Sequence, residues 1–291
     1  MLTVSAFYHF APLADPAAVR APLARLACGL GVKGSVLLAP EGVNGTIAGP
    51  AEGVTAVLDH IRAWPGFAGL SAQDSRAATQ PFGRLKVKLK REIVTFGPQV
   101  DPAAEVGTYV PPQDWNALIS APDVAVIDTR NDYEVAIGTF QGALDPETAA
   151  FSDFPAWWAE NAERLKGKRL AMFCTGGIRC EKATSWLVAQ GVEGVHHLQG
   201  GILSYLAQVP EEQSLWQGGC FVFDDRVALG HGLEPTGAAL CHGCRHPLRP
   251  GDAEHPDYEP GVSCPRCRPG TDPARLEARR ARHRQIARHG G

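Results

Sequence analysis

Hydrophobic and polar residues along positions 1–97 form short alternating and helical patterns that predict an α+β unit. Asp15 followed by Pro16 is typical of a helix start, because Asp caps free backbone N–H groups and Pro has helical φ. The patterns predict strands at Leu2–Phe10, Gly34–Ala39 and Leu85–Phe96, helices at Pro16–Cys28 and Ala51–Trp64, and a hairpin within Glu41–Gly49 that turns at Asn44-Gly45. This β-α-β-β-α-β order predicts a ferredoxin-like domain over residues 1–97.

The last predicted strand has a basic face. Alternation turns Lys86, Lys88 and Lys90 to one side of the strand and its apolar residues to the other. We predict that these lysines contact RNA, with an ordinary solvated sheet face as the alternative.

Residues 98–112 contain four prolines, at 98, 102, 111 and 112, and predict a linker. Residues 113–220 then alternate short strands with helices, which predicts an α/β domain with a parallel sheet. The elements are strands at Asp123–Asp128, Leu170–Phe173 and Val195–Leu198 and a helix at Pro155–Leu165. The carboxyl ends of parallel strands meet at one edge of a sheet, so polar residues that follow them should be neighbours. Those residues are Asp128, Arg130, Cys174 and the Gly200-Gly201 turn.

A cysteine follows the strand Leu170–Phe173 and precedes a glycine-containing loop and a helix. Backbone N–H groups of the loop and of the helix N-terminus can point at the sulfur, which stabilises a thiolate and lowers its pKa. We therefore predict Cys174 and Arg179 as catalytic residues. The predicted supporting residues are Asp128, Arg130, Thr175, Gly176, Gly177, Ile178 and Cys180.

Each assignment has a structural alternative. Cys174 could be a buried structural cysteine, and Cys180 could either resolve an oxidised Cys174 as a disulfide or face the core. Asp128 and Arg130 are expected to brace the strand ends rather than to react.

Composition narrows the functional classes. The 291 residues carry a net charge of −3, so no global basic field favours nucleic acid. No segment approaches the ~20 apolar residues of a membrane helix, and the N-terminus lacks the basic region of a signal peptide. We expect a cytoplasmic protein whose eight cysteines are catalytic or metal-binding rather than a disulfide framework.

Two CxxC pairs occur in residues 221–272, at Cys241/Cys244 and Cys264/Cys267, with nineteen residues between the pairs. This spacing is typical of a zinc ribbon, in which four thiolates close a tetrahedral structural site. Four unrelated thiols are the alternative.

The tail from residue 273 to 291 carries six arginines and one acid, a formal charge of +5. It predicts a polyanionic partner. The residues predicted to bind RNA are Arg279, Arg280, Arg282 and Arg284, with Arg275 and Arg288 nearby. A solvated helix or a disordered end is the alternative.

Several motifs together resemble a known family. Asp128-Thr129-Arg130, the Cys174–Arg179 loop and Leu198–Ile202 match the rhodanese pattern. The run CTGGIRCEKA, with Ala39–Ile47 upstream and the CxxC pairs downstream, resembles the oxygen-dependent tRNA uridine hydroxylases over essentially the whole chain. The resemblance implies that Cys174 is the active-site cysteine, which carries a persulfide in that family. It also implies formation of 5-hydroxyuridine at the wobble position in the tRNA anticodon, with molecular oxygen as co-substrate.

The residues explain a nucleophile but leave the oxidation open. The Cys174 thiolate could hold a sulfane sulfur or add to C6 of uracil, and Arg179 could orient an anionic group. No GxGxxG flavin motif, haem motif or two-His-one-carboxylate set is evident, so the sequence identifies neither the oxygen activator nor the electron donor. It does not indicate an oligomeric state. A rhodanese-type sulfurtransferase and a non-catalytic RNA- or protein-binding adaptor are the competing functions.

Overall fold

A computed structural model describes the backbone of residues 1–289 and the side chains of residues 1–285. The side chain of Arg288 and the last two residues of the predicted basic tail therefore lie outside the described part. Among the described residues, no helix combines the length and the apolar character needed to cross a membrane.

The N-terminal domain is a sheet with two helices against one face. Its elements are β1 (Leu2–Phe10), α1 (Pro16–Gly29), β2 (Lys33–Ala39), β3 (Gly42–Gly49), α2 (Ala51–Arg62), β4 (Ser71–Ala77) and β5 (Leu85–Leu89). The strands lie in the order β4-β1-β3-β2-β5, antiparallel except for the β2/β5 pair. Asp15 caps α1 as expected, since its carboxylate accepts from the N–H groups of Ala17 and Ala18. The ferredoxin-like prediction is confirmed.

The predicted turn at Asn44-Gly45 is wrong. Ala39 pairs with Gly42, so the hairpin turns at Pro40-Glu41, and Asn44-Gly45 lies inside β3. The two residues serve packing instead. A Cβ at Gly45 would lie 2.9 Å from the ring of Phe7, and the Asn44 amide donates to the Ile93 carbonyl at 2.9 Å.

The end of the domain also differs from the prediction. The strand expected at Leu85–Phe96 ends at Leu89, and β4, which was not predicted, supplies the fourth ferredoxin-like strand. Its sequence, SAQDSRA, has too few apolar residues to stand out as a strand. The following apolar residues leave the sheet: Phe96 is buried and stacks on Phe151 of the next domain at 4.8 Å.

The second domain is a parallel sheet in the order β6-β10-β9-β7, as predicted. Its elements are β6 (Thr108–Val110), α3 (Pro112–Ile119), β7 (Val124–Asp128), α4 (Asp132–Val135), β8 (Gly138–Phe140), α5 (Phe154–Leu165), β9 (Arg169–Phe173), α6 (Ile178–Ala189), β10 (Val195–Leu198), α7 (Gly201–Gln208) and β11 (Trp216–Gly218). The predicted linker 98–112 thus contains β6, an edge strand of this sheet. Aromatic side chains fill the core on one face of the sheet: Trp115, Phe140, Phe173, Tyr205 and Trp216.

The C-terminal part packs on the second domain. It contains β12 (Cys220–Phe221), β13 (Ala228–Leu229), 3₁₀ turns at His231–Leu233 and Asp252–Glu254, and α8 (Pro273–His289). The second domain has two further 3₁₀ turns, at Phe151–Asp153 and Glu211–Gln213. Arg266 donates to Asp132 at 2.7 Å, and the His246 ring stacks on Tyr133 at 4.7 Å. These contacts join the four-cysteine module to α4.

Candidate active site

The cysteine loop lies at the carboxyl edge of the parallel sheet, beside the loops that follow β7 and β10. The Thr129 N–H donates to the carbonyl of Phe173, and the Ile202 N–H donates to that of Cys174, both at 3.0 Å. Gly201 permits this closeness, because a Cβ there would lie 2.5 Å from the Cys174 carbonyl oxygen. The structure therefore brings together the residues expected at this edge.

Cys174 is fully buried, yet its surroundings favour the thiolate. Burial by itself raises the pKa of a thiol. A hydrogen bond from the Cys180 thiol, the charge of Arg179 and the backbone N–H groups of Cys180 and Arg179 outweigh burial and lower the Cys174 pKa to about 6. The Gly177 N–H also points at the sulfur, at 3.1 Å. A large fraction of Cys174 is thus a nucleophilic thiolate at neutral pH.

Cys180 lies in the first turn of α6 and is fully buried. Its sulfur is 3.6 Å from the Thr129 hydroxyl. Burial, followed by the hydrogen bond and charge of Cys174, raises the Cys180 pKa well above its ordinary value. Cys180 therefore stays a thiol that donates to Cys174.

Arg179 is held by a buried carboxylate. Its two terminal nitrogens donate to the oxygens of Glu134 at 2.7 and 2.8 Å, and one of them also donates to the Thr175 hydroxyl. This bidentate pair was not predicted, and it fixes the guanidinium against the loop. In this geometry Arg179 acts on Cys174 through its charge.

Asp128 and Arg130 form a second buried pair below the loop. Arg130 donates to both Asp128 oxygens, at 2.9 and 2.6 Å, and also to the Gly138 carbonyl. Both side chains are fully buried. Their contacts connect β7 with β8, which is the geometry of a brace.

Glu181 forms a third cluster with two tyrosines. Its carboxylate accepts from Tyr8 of β1 at 2.8 Å and from Tyr109 of β6 at 2.7 Å. The pKa of Glu181 is raised overall, because burial raises it more than the two tyrosine hydrogen bonds lower it. The charge of Cys174 raises it further. The N-terminal domain thereby contributes a side chain to the immediate surroundings of the cysteine loop.

The next residue of α6 connects the two domains. Lys182 is 1% exposed, and its ammonium lies 2.9 Å from Glu41 and 2.6 Å from Glu92. Glu41 also accepts from the Ile93 N–H at 2.6 Å. The Ala39–Ile47 motif thus docks the N-terminal domain onto the helix that follows Cys174.

A cavity of about 1300 Å³ lies between the domains and reaches the cysteine loop. This exceeds the volume of roughly 300–1000 Å³ that is typical of small-molecule sites. Its lining includes Tyr8, Tyr109, Cys174, Glu181 and Phe223. Phe223 is 64% exposed.

Both parts of this architecture match known protein families. Residues 2–93 match the UPF0176 acylphosphatase like domain, and residues 111–208 match the rhodanese-like domain. A protein of Jannaschia sp. (strain CCS1) named tRNA uridine(34) hydroxylase is 60% identical over 288 residues, which cover 99% of this chain and 95% of that protein.

The chain belongs to the tRNA uridine(34) hydroxylase family. A second relative with that name, from Ruegeria pomeroyi, is 58% identical over 99% of this chain and 96% of its own length.

This member of the hydroxylase family has its four C-terminal cysteines clustered as their spacing predicts. The sulfurs of Cys241, Cys244, Cys264 and Cys267 all lie within 4.8 Å of one another. Three of the distances are 3.8, 3.9 and 4.0 Å. Four sulfurs at the Zn–S distance of about 2.3 Å form a tetrahedron with edges of about 3.8 Å, so the donor set fits zinc. The cluster could hold a metal ion.

Among the side chains that the structure describes, those predicted to bind RNA form no hydrogen bond or ion pair with the cysteine loop. Lys86, Lys88 and Lys90 are exposed on and just after β5. Arg279 donates to the Val262 carbonyl, and Arg280 forms an ion pair with Glu259 at 2.6 Å. These two arginines hold α8 against the cysteine module.

Arg284 pairs with Glu277 at 3.0 Å within α8, whereas Arg282 is exposed. The tail described as far as His289 is thus a helix docked on the module.

Sequence reasoning missed Tyr8, Tyr109, Glu134, Glu181 and Lys182. One signal was available for two of them, because Glu181 and Lys182 stand among core-facing residues at the start of α6. Adjacent charged residues on a buried helix face require partners. Their partners, however, come from other elements, and the sequence alone does not identify them.

Proposed function

We propose that this chain hydroxylates C5 of uridine 34 in tRNA, with molecular oxygen as oxidant and Cys174 as the nucleophile. The observation that carries the proposal is the Cys174 thiolate, with a pKa of about 6, at the end of the interdomain cavity. The names of the full-length relatives supply the substrate.

The chemistry follows from the electronic structure of uracil. The Cys174 sulfur adds to C6, which makes C5 electron-rich and able to attack an electrophilic oxygen. One atom of O₂ becomes the C5 hydroxyl, and the other leaves as water after taking two electrons and two protons from a reductant. The chain's own contribution is the thiolate, stabilised by the loop N–H groups and the Arg179 charge.

Access to the sulfur runs past Gly176. Cys174 has no exposed surface, whereas a Cβ at Gly176 would meet no atom within 4 Å. The uracil ring therefore approaches on the Gly176 side. The cysteine loop moves there to expose the Cys174 sulfur.

The tRNA contacts combine stacking with charge. Unpaired anticodon-loop bases stack on exposed aromatic rings, and Phe223 provides such a ring at the cavity. Its loop is held firmly, since Arg226 pairs with Asp224 at 2.7 Å and donates to Ser75 of β4 at 2.8 Å. Phosphates are bound by Lys86, Lys88, Lys90 and the exposed Arg282 of α8.

The four-cysteine cluster binds zinc as a structural ion. Cys241, Cys244, Cys264 and Cys267 are its ligands, and four thiolates leave no open coordination position for a substrate. A zinc ion held there would keep together the module onto which α8 docks.

Mass spectrometry of tRNA nucleosides from a deletion strain tests the function. Loss of 5-hydroxyuridine that the wild-type chain restores is the expected result. Loss of a thiolated base would instead favour the sulfurtransferase function, for which the rhodanese-like domain match speaks. Unchanged nucleosides would leave the adaptor function.

The charged contacts are tested by the salt dependence of tRNA binding. Replacing Arg282 with Ala should remove about one phosphate contact and flatten the log–log salt slope by about 0.7 to 0.9. Arg284→Ala is the matched control, because its guanidinium is already paired with Glu277. Equal salt slopes in the two variants would show that Arg282 is an ordinary solvated residue that does not contact phosphate.

A further inference from the structure

Hydroxylation at C5 of uridine requires a group that accepts a proton. The C5–H of uridine is absent from the product, so after the C–O bond forms this proton must leave. Its bonding pair then restores the C5–C6 double bond, and the Cys174 sulfur leaves C6 with the pair of the C–S bond. The step is a β-elimination that is neutral in oxidation state, and it requires a proton acceptor within the cavity.

Most acidic groups near the loop are already neutralised by a cation. Glu134 is bound by Arg179 and Asp128 by Arg130, in both cases through two hydrogen bonds. Arg179 and the other partners of Glu134 hold its pKa below the usual range despite burial. A carboxylate held in this way is a poor proton acceptor.

Glu181 differs from both. It lines the cavity together with Cys174. Within the described residues its carboxylate contacts the hydroxyls of Tyr8 and Tyr109, and no lysine or arginine forms an ion pair with it. A carboxylate offers about four lone-pair positions, so two hydrogen bonds leave room for a proton.

We propose that Glu181 is the general base that accepts the C5 proton, oriented by Tyr8 and Tyr109. This inference rests on the proposed function. The groups that face Glu181 are Tyr8 from β1, Tyr109 from β6 and Cys174 from the loop. Burial raises the Glu181 pKa more than the tyrosine hydrogen bonds lower it, which makes the carboxylate a stronger base than an exposed one.

The tyrosines explain why the site needs both domains. Tyr8 lies 173 positions from Glu181 in the chain, and its hydroxyl also packs against Gly177. The N-terminal domain therefore positions the base as well as covering the cavity. Tyr8→Phe and Tyr109→Phe each remove one hydrogen bond and should slow the reaction less than loss of the carboxylate does.

The test is single-turnover hydroxylation by Glu181→Gln, with tRNA that carries hydrogen or deuterium at C5 of uridine 34. We expect the rate to fall by about 10²- to 10⁴-fold, the usual contribution of a general base. The deuterium isotope effect should increase, because C5–H cleavage becomes rate-limiting. Glu181→Asp should restore part of the rate. Glu160→Gln, on the exposed side of α5, is the matched control.

Two results would overturn the assignment. One is a wild-type rate in Glu181→Gln; the other is a slow variant whose isotope effect equals that of the wild-type enzyme, which is what a merely structural role produces. Failure of the proposed function can be told apart from failure of the Glu181 assignment. In the former case the wild-type chain itself would form no 5-hydroxyuridine.

Discussion

Cys174 and Cys220 are both fully buried, yet the pKa values of their thiols are shifted in opposite directions. Burial raises the Cys220 pKa to about 12; Arg130 opposes this rise, and Glu134 and Asp128 add to it. The Cys220 sulfur points at a carbonyl oxygen, at 3.8 Å. At Cys174 the neighbours are N–H groups, a donating thiol and a guanidinium, and the pKa falls to about 6. Directed donors, not burial, therefore lower the pKa of Cys174.

The largest expected difference between the two cysteines is in activity. Cys174→Ala should reduce 5-hydroxyuridine formation by at least about 10³-fold, as loss of a nucleophile does in other enzymes. Cys220→Ala should keep activity within about threefold and lower the free energy of unfolding by about 1–2 kcal/mol, because it leaves a small cavity. Nucleoside mass spectrometry and urea unfolding measure the two effects. A Cys174→Ala variant with wild-type activity would show that Cys174 is no more important for the reaction than Cys220.

A third cysteine environment sharpens the contrast. Cys264 is also buried, but its neighbours are three other sulfurs. We expect one zinc ion per wild-type chain and none in Cys264→Ala. The module of that variant should unfold, since structural zinc provides much of the folding free energy of such small sites. Elemental analysis of the full chain measures the zinc content, and the rate of proteolysis within residues 221–289 measures the unfolding. Wild-type protein purified without metal would contradict the zinc assignment.

The donors around Cys174 can be weakened one at a time. Replacing Arg179 and Glu134 together with Gln removes the positive charge without leaving Glu134 unpaired, and should raise the Cys174 pKa by about one unit or more. Thiolate absorbance measured against pH gives the midpoint, expected at about 6 in the wild-type chain. An unchanged midpoint would show that the N–H groups and the Cys180 thiol stabilise the thiolate without the guanidinium.

The same titration predicts a dependence of stability on pH. The folded-state pKa of Cys174 lies below the unfolded value of about 8.5, so its contribution is complete above that value. The contribution is lost as the pH falls through about 6. Cys174→Ala should remove this part of the pH dependence of unfolding.

The smallest expected effect compares two glycines at opposite ends of α6, Gly177 and Gly191. Gly177 has a φ of 101°, and a Cβ there would lie 2.8 Å from the Tyr8 hydroxyl. Gly177→Ala should cost about 1 kcal/mol in backbone strain and slow the reaction about tenfold by displacing Tyr8. Gly191→Ala is the control, because Gly191 also has a positive φ, 79°, but its Cβ would meet open space. Equal rates in both variants would show that the position of Tyr8 is unimportant.

The sequence by itself determined the features that depend on neighbouring residues. A strand, a glycine loop and a helix start place backbone N–H groups beside the Cys174 sulfur. The spacing of the two CxxC pairs likewise predicts four clustered sulfurs, and the strand–helix alternation predicts a parallel sheet.

The tertiary structure decided which distant groups meet and which local signals are overruled. Asn44-Gly45 is a turn signal, yet pairing along β3 and the contact with Ile93 keep it in a strand. Tyr8, Tyr109 and Glu181 meet because domain docking buries them together. Burial makes each polar group require a partner, and only the packing of the whole chain determines which partner is within reach.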